Sequence, residues 1–155
     1  MIKLSVFSSD KTPGVDQYLH PVREGELKEI SPKITDQFDH SFFFFNQKTN
    51  TVNVRWFNHH GEIQLCGSGA YATSKYIFEK YELSEINLKT QSKTLKANNI
   101  NGVTSLSLPL IAFEHREKRS PNNMIYSYPS RGIYLIQVAD EKSLIGSRWQ
   151  DLFKF

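Results

Sequence analysis

The sequence predicts an α+β fold in which antiparallel β-strands surround one central, mostly buried α-helix, with a further strand and helix appended. Three observations carry this expectation. Aromatic residues make up 13% of the 155 residues, mainly 11 Phe and 7 Tyr, a mix that suits pleated, half-buried strands better than a helical bundle. Several short runs alternate apolar and polar residues at the two-residue period of a strand. Only one long segment, 67 to 81, keeps a helical period, and its charges are confined to Lys75, Glu79 and Lys80. The length provides one hydrophobic core of ordinary size, and 39% hydrophobic with 23% charged residues excludes collagen-like, low-complexity and disordered chains.

Taken in order, Ile2 to Phe7 alternates and opens the fold as a strand. From Glu24 to Phe38 the spacing of Leu27, Ile30 and Ile34 is helix-like, but Pro32 limits the stretch to one or two short helices. Ser41 to Phe45 is a buried-type apolar run, and Val52, Val54 and Trp56 share one face of Thr51 to Phe57. The polar connection Asn46 to Asn50 makes these two strands an antiparallel hairpin. In the long helix, Ala70, Ser74, Ile77, Phe78 and Tyr81 form one face, while Ala72, Thr73 and Tyr76 keep the other small or weakly polar, so protein covers most of it. Strands follow at Glu85 to Thr90, Lys93 to Ala97 and Val103 to Leu108, with Asn98-Asn99 and Gly102 as turn residues between the last two. Past Pro109 the pattern changes. We expect a domain over residues 1–110, a charged exposed linker over 111–123 containing Glu114 to Pro121, and an extension over 124–155. In that extension Gly132 to Val138 is a strand, and Asp140 caps a helix bearing Leu144, Ile145, Trp149, Leu152 and Phe153.

Several function classes are disfavoured. The formal charge of +3 arises from 19 Lys and Arg against 16 Asp and Glu spread along the chain, so no basic stripe exists to grip nucleic acid. No run approaches the ~20 apolar residues that cross a bilayer. One cysteine makes no internal disulfide, and the alternating start lacks a signal-peptide core, which points to the cytoplasm. His59 and His60 are adjacent on a loop, should diverge, and lack the further ligands of a metal site.

The sharpest local signal runs from Arg55 to Ala70. A strand ends at Phe57, a polar loop follows, and Cys66-Gly67-Ser68-Gly69 opens the long helix. The first turn of a helix presents unpartnered N–H groups and partial positive charge, which attract a carboxylate or phosphate. Glycines let a ligand approach that backbone closely, and the same field should lower the Cys66 thiol pKa and favour thiolate. Read from spacing alone, Cys66 is also compatible with an inert packed residue, Gly-Ser-Gly with a plain turn, and Glu62 with a residue that orders its loop.

This segment resembles the PhzF-like family of phenazine biosynthesis. Phe57, Glu62 five positions on, and Leu65-Cys66-Gly67 leading into a helix of small residues are similar to its F-T-P-x-x-E-x-x-x-A/C-G-H signature. Cys66-Gly67-Ser68-Gly69-Ala70 is closer to the C-G-N-G-A turn of the related diaminopimelate epimerases. Ile2 to Phe7 resembles the opening V-D-V-F strand, Asp39-His40-Ser41-Phe42-Phe43 falls where S-E-T-A-F is expected, and Leu106 to Pro109 resembles the strand closing the first half. Residues 132–155 are similar to the start of the second half.

The resemblance implies two pseudo-symmetric halves, each an antiparallel sheet curled around a helix, with a substrate carboxylate held at the helix N-termini between them. It implies proton transfer at carbon beside a carboxylate or carbonyl, with no metal and no organic cofactor. Carried over, Cys66 matches the epimerase cysteine, and Gly67, Ser68 and Gly69 match the anion-binding turn, with Glu62 grouped beside them as substrate-binding. His40 occupies the place of the family glutamate and would serve as the second catalytic group, since imidazole carries protons near neutral pH. Ser68 replaces the family histidine, and Pro13 to Asp16 lacks the asparagine of the early G-N-P motif. The chain contains one complete half and the opening of another. A homodimer, with the 124–155 extension available for dimerisation, would supply the opposite face of the site; the alternatives are a non-catalytic small-anion-binding or assembly module, or a fragment of a longer gene.

Overall fold

The computed structural model describes residues 1–11 and 13–108 together with the strand segments 115–120, 123–128 and 133–137. The chain divides into two compact units, Met1–Pro109 and Leu110–Phe155. In the first, β1 (Ile2–Val6), β2 (Val15–Pro21), β3 (Asp39–Asn46), β4 (Thr51–Asn58), β6 (Glu85–Lys89), β7 (Thr94–Ile100) and β8 (Val103–Ser107) lie in the order β1-β2-β3-β4-β6-β7-β8. A short β5 (Gly61–Ile63) pairs antiparallel with β4, off this path. The helices are α1 (Glu26–Glu29) and α2 (Gly67–Tyr81). Among the described residues no helix is long and apolar enough to cross a membrane.

The α2 helix touches β1, at one edge of this sheet, and β8, at the other. Seven strands at ~4.8 Å spacing are about 29 Å across, against about 10 Å for a helix, so the sheet must curl around α2 to bring both edges to it. Ala70, Ala72, Ile77 and Phe78 of α2 are buried against Leu19, Phe43, Val52, Val54, Trp56, Ile86, Leu88, Leu95 and Ala97. Buried Thr73 and Ser74 return their hydroxyls to the Gly69 and Ala70 carbonyls at 2.8 Å, which lets two polar residues sit within that core.

The predicted architecture is present, with one difference in sheet type. The β3–β4 hairpin is antiparallel, as its sequence predicts, but β2 runs parallel to β3 and β4 parallel to β6. Both parallel pairs follow from crossovers, one through residues 22–38 and one through α2. Of the helix-like stretch from Glu24 to Phe38, a single turn forms. Its Leu27 is buried, and Arg55 Nη1 donates to the carbonyls of Leu27 and Ile30, both at 2.9 Å, satisfying acceptors that a four-residue helix leaves open. Asn98 and Asn99, expected in a turn, belong to β7; the turn is Asn101-Gly102, with φ of 53° and 80°. Two consecutive residues at positive φ match the twist of the flanking strands.

The second unit contains β9 (His115–Ser120), β10 (Asn123–Tyr128) and β11 (Ile133–Gln137), an antiparallel sheet in the order β11-β10-β9. The charged run expected to be an exposed linker is therefore largely a strand, because backbone pairing with β10 does not require an apolar face. The apolar strand expected over Gly132 to Val138 is β11. The helix expected from Asp140 to Phe153 lies outside the described residues.

Candidate functional site

Strand alternation decides what reaches the N-terminus of α2. On β3, Phe43 and Phe45 make ring contacts with Tyr76 and Tyr81 of α2, and Ser41 Oγ lies against Gly69. Asp39, two residues before Ser41, shares that inner face. Parallel register pairs Asp39 with Gln17 of β2, which also points inward.

These residues meet at Cys66. It caps α2 in an extended conformation, and its Sγ accepts the Gly69 N–H at 3.3 Å. The Cys66 thiol donates to Asp39 Oδ2 at 3.5 Å, and Ser68 Oγ lies 3.4 Å from the sulfur. Gln17 Nε2 donates to Ser68 Oγ at 3.2 Å. Gly69 permits the close approach of the sheet: a methyl group there would lie 2.7 Å from Trp56 Cδ1 and 2.9 Å from Ser41 Oγ. Gln17 Oε1, Ser41 Oγ and Trp56 Nε1 are buried without hydrogen-bond partners. The packing around the first turn of α2 thus holds buried polar atoms with donor and acceptor capacity to spare.

The electrostatics differ from the sequence expectation for Cys66. Burial pushes its thiol pKa up, the Ser68 hydroxyl and Gly69 N–H pull it down, and the Asp39 carboxylate pushes it up again. Desolvation outweighs the hydrogen bonds to the sulfur, which favours the thiol over the thiolate that the helix start suggests.

His40 and Glu62 are not part of this arrangement. His40 alternates to the outer face of the sheet, where its Nδ1 lies 2.9 Å from His20 Nε2 and its Nε2 lies 3.0 Å from Asp36 Oδ1. Tyr18 and His20 stack on it, and His20 stacks on Phe42. Burial and the facing His40 hold the His20 pKa down to about 4. Glu62, opposite Phe57 in the β4–β5 register, also faces outward and grips Arg55 with both oxygens, at 2.8 and 2.7 Å. Gln91 Nε2 donates to it as well, at 2.8 Å. Both of its oxygens are engaged, and the Arg55 bonds hold its pKa below the usual carboxylate range. The rings of His59 and His60 pack together, 3.8 Å between centroids, instead of diverging. Among the described residues no group of three or more His, Cys, Asp or Glu is arranged to hold a metal ion.

The structure therefore places Cys66, Ser68 and Gly69 in contact at the start of α2, with Asp39 and Gln17 beside them, and places His40 and Glu62 on the outer face. Asp39 was available from the period of β3, because Asp39, Ser41, Phe43 and Phe45 form a single face. Gln17 carried no comparable signal, since a buried glutamine in a strand is legible only once its neighbours are known.

A PhzF-family phenazine biosynthesis protein from Enterococcus faecalis matches this structure with a TM-score of 0.65 at 18% identity, over 93% of this chain and 58% of that one. This chain shares the fold of the matched part of that PhzF-family structure. A second PhzC/PhzF-type protein, from Clostridium difficile strain 630, matches with a TM-score of 0.59 at 16% identity, over 90% of this chain and 59% of its own. The chain thus spans about three fifths of the length of the PhzF-type structures it matches. No family model and no curated protein matches the sequence.

Proposed function

We propose that this chain is a PhzF-like isomerase- or epimerase-type protein that moves a proton at a carbon beside the carboxylate of a small substrate. The observation that supports this most directly is the Cys66–Asp39 contact at the N-terminus of α2. The backbone N–H groups of Gly67 and Ser68 take the substrate carboxylate, with the helix field favouring its charge. Cys66, a thiol at rest, is the proton donor, and Asp39 is the carboxylate that receives a proton from carbon. Both groups lie on one side of the pocket. A proton removed and returned on one side gives a positional shift along the substrate, whereas inversion needs a second group on the opposite side. The same-side pair therefore favours isomerisation, and a second copy of the chain would be needed to supply the far side for epimerisation.

A specific observation favours one other reading. Burial holds Cys66 as a thiol, and Ser68 cannot exchange a proton near neutral pH, so the same pocket suits a module that binds a small anion without reacting. Solvent deuterium incorporation into a panel of amino and hydroxy acids separates the two. We expect exchange in the unmodified protein and in His40→Ala, and its loss in Cys66→Ala and in Asp39→Asn. Exchange that survives both of the latter substitutions overturns the site; no exchange with any acid leaves the binding module.

A further inference from the structure

Gln17 is fully buried, and its side chain spans from β2 to the first turn of α2. One end of its amide donates to Ser68 Oγ at 3.2 Å; the other, Oε1, has no partner. A methionine would fill the same space without an orphaned carbonyl, so what the amide adds is the donation to Ser68. That donation has a directional consequence. With Gln17 Nε2 donating to Ser68 Oγ and the Cys66 proton directed to Asp39, the hydroxyl is the group left to donate across its 3.4 Å contact with Cys66 Sγ. The Cys66 proton is itself directed to Asp39 Oδ2, and the Gly69 N–H arrives at the sulfur from the helix. The sulfur thus receives two donors, one of them a rotor that Gln17 fixes.

We propose that Gln17 is a positioning residue that orients the Ser68 hydroxyl toward the Cys66 sulfur and so stabilises negative charge on it when its proton leaves. The inference rests on the proposed proton-transfer function only for its use in turnover. The orientation itself is a property of the resting protein, and it is tested on the thiol, not on activity. Ser68 is among the groups that pull the Cys66 pKa down, in keeping with donation to sulfur.

The chain has a single cysteine, so its reaction with a small neutral reagent, methyl methanethiosulfonate, reads Cys66 alone. At pH 8 we expect Gln17→Met to slow this reaction by roughly two- to five-fold, because less thiolate is present. Ser68→Ala should slow it comparably, and Gln17→Met added to Ser68→Ala should change nothing further. A residue that merely packs would have the opposite effect, since loosening the pocket exposes the sulfur and speeds the reaction. If Gln17→Met does not fold, Gln17→Asn, which withdraws the donor by one methylene, gives the same measurement. An unchanged or faster reaction in the Gln17 variant, or further slowing in the Ser68→Ala background, overturns the proposal. Loss of deuterium exchange across the acid panel would overturn the catalytic reading and leave this one standing.

Discussion

Gly69 is where sheet and helix come closest, and the contact leaves no room for a side chain. A methyl group would lie 2.7 Å from a carbon of the Trp56 ring, and that ring is buried and cannot swing away. We expect Gly69→Ala to destabilise the fold by about 2–3 kcal/mol, seen as a lowered urea midpoint. The His20–His40–Asp36 chain on the outer face makes a different prediction. The His20 pKa is about 4 in the folded protein, below its ordinary value of 6.5, so the unfolded chain binds the extra proton first as pH falls. Its contribution is complete above about pH 6.5 and is lost as pH falls toward 4, amounting to about 1–2 kcal/mol once solvent screening of this half-exposed ring is allowed for. Unfolding midpoints measured between pH 7 and 4 should fall less steeply in His20→Phe, which keeps the stack on Phe42. Equal slopes in both proteins would remove His20 from the account.

At the scale of elements, α2 ends on Glu82 in the left-handed region, φ 53° and ψ 40°. A side chain there is strained, and a glycine is not. Glu82→Gly should stabilise the protein by about 0.5–1 kcal/mol, measured as a raised urea midpoint at unchanged slope. The helix itself was legible because its period and its lack of charge agree over 15 residues. The β3–β4 hairpin was legible because both strands present apolar residues inward on either side of a polar turn, residues 47–50. Strand β2 was not, because Gln17 interrupts its inward face where Leu19 and the core would predict an apolar residue, and Tyr18 and His20 make the outer face equally aromatic. In β9, charges conceal a strand held by backbone pairing. His40 entered the expected site through its match to the family motif, and on β3 it lies one residue from Asp39, on the opposite face. A one-residue slip along a strand moves a side chain to the other face, and the local sequence fits both positions until the neighbouring strands fix the register.

At the scale of the whole molecule, the proposed pocket presents its acid and its base from one side. If epimerisation is the reaction, two copies must share a site, and light scattering at micromolar concentration should then report a dimer. A monomer that still exchanges deuterium would limit the chemistry to the same-side shift. Trp56 bears on how such experiments can be done. Its indole lies against Gly69 with its N–H unpartnered, a few ångströms from where a carboxylate would dock. The chain has one other tryptophan, Trp149. Replacing Trp149 with Phe leaves a single tryptophan, buried against the first turn of α2. A ligand settling onto the first turn of α2 then changes the emission of the protein itself, so candidate acids can be ranked by optical titration before any product has been identified.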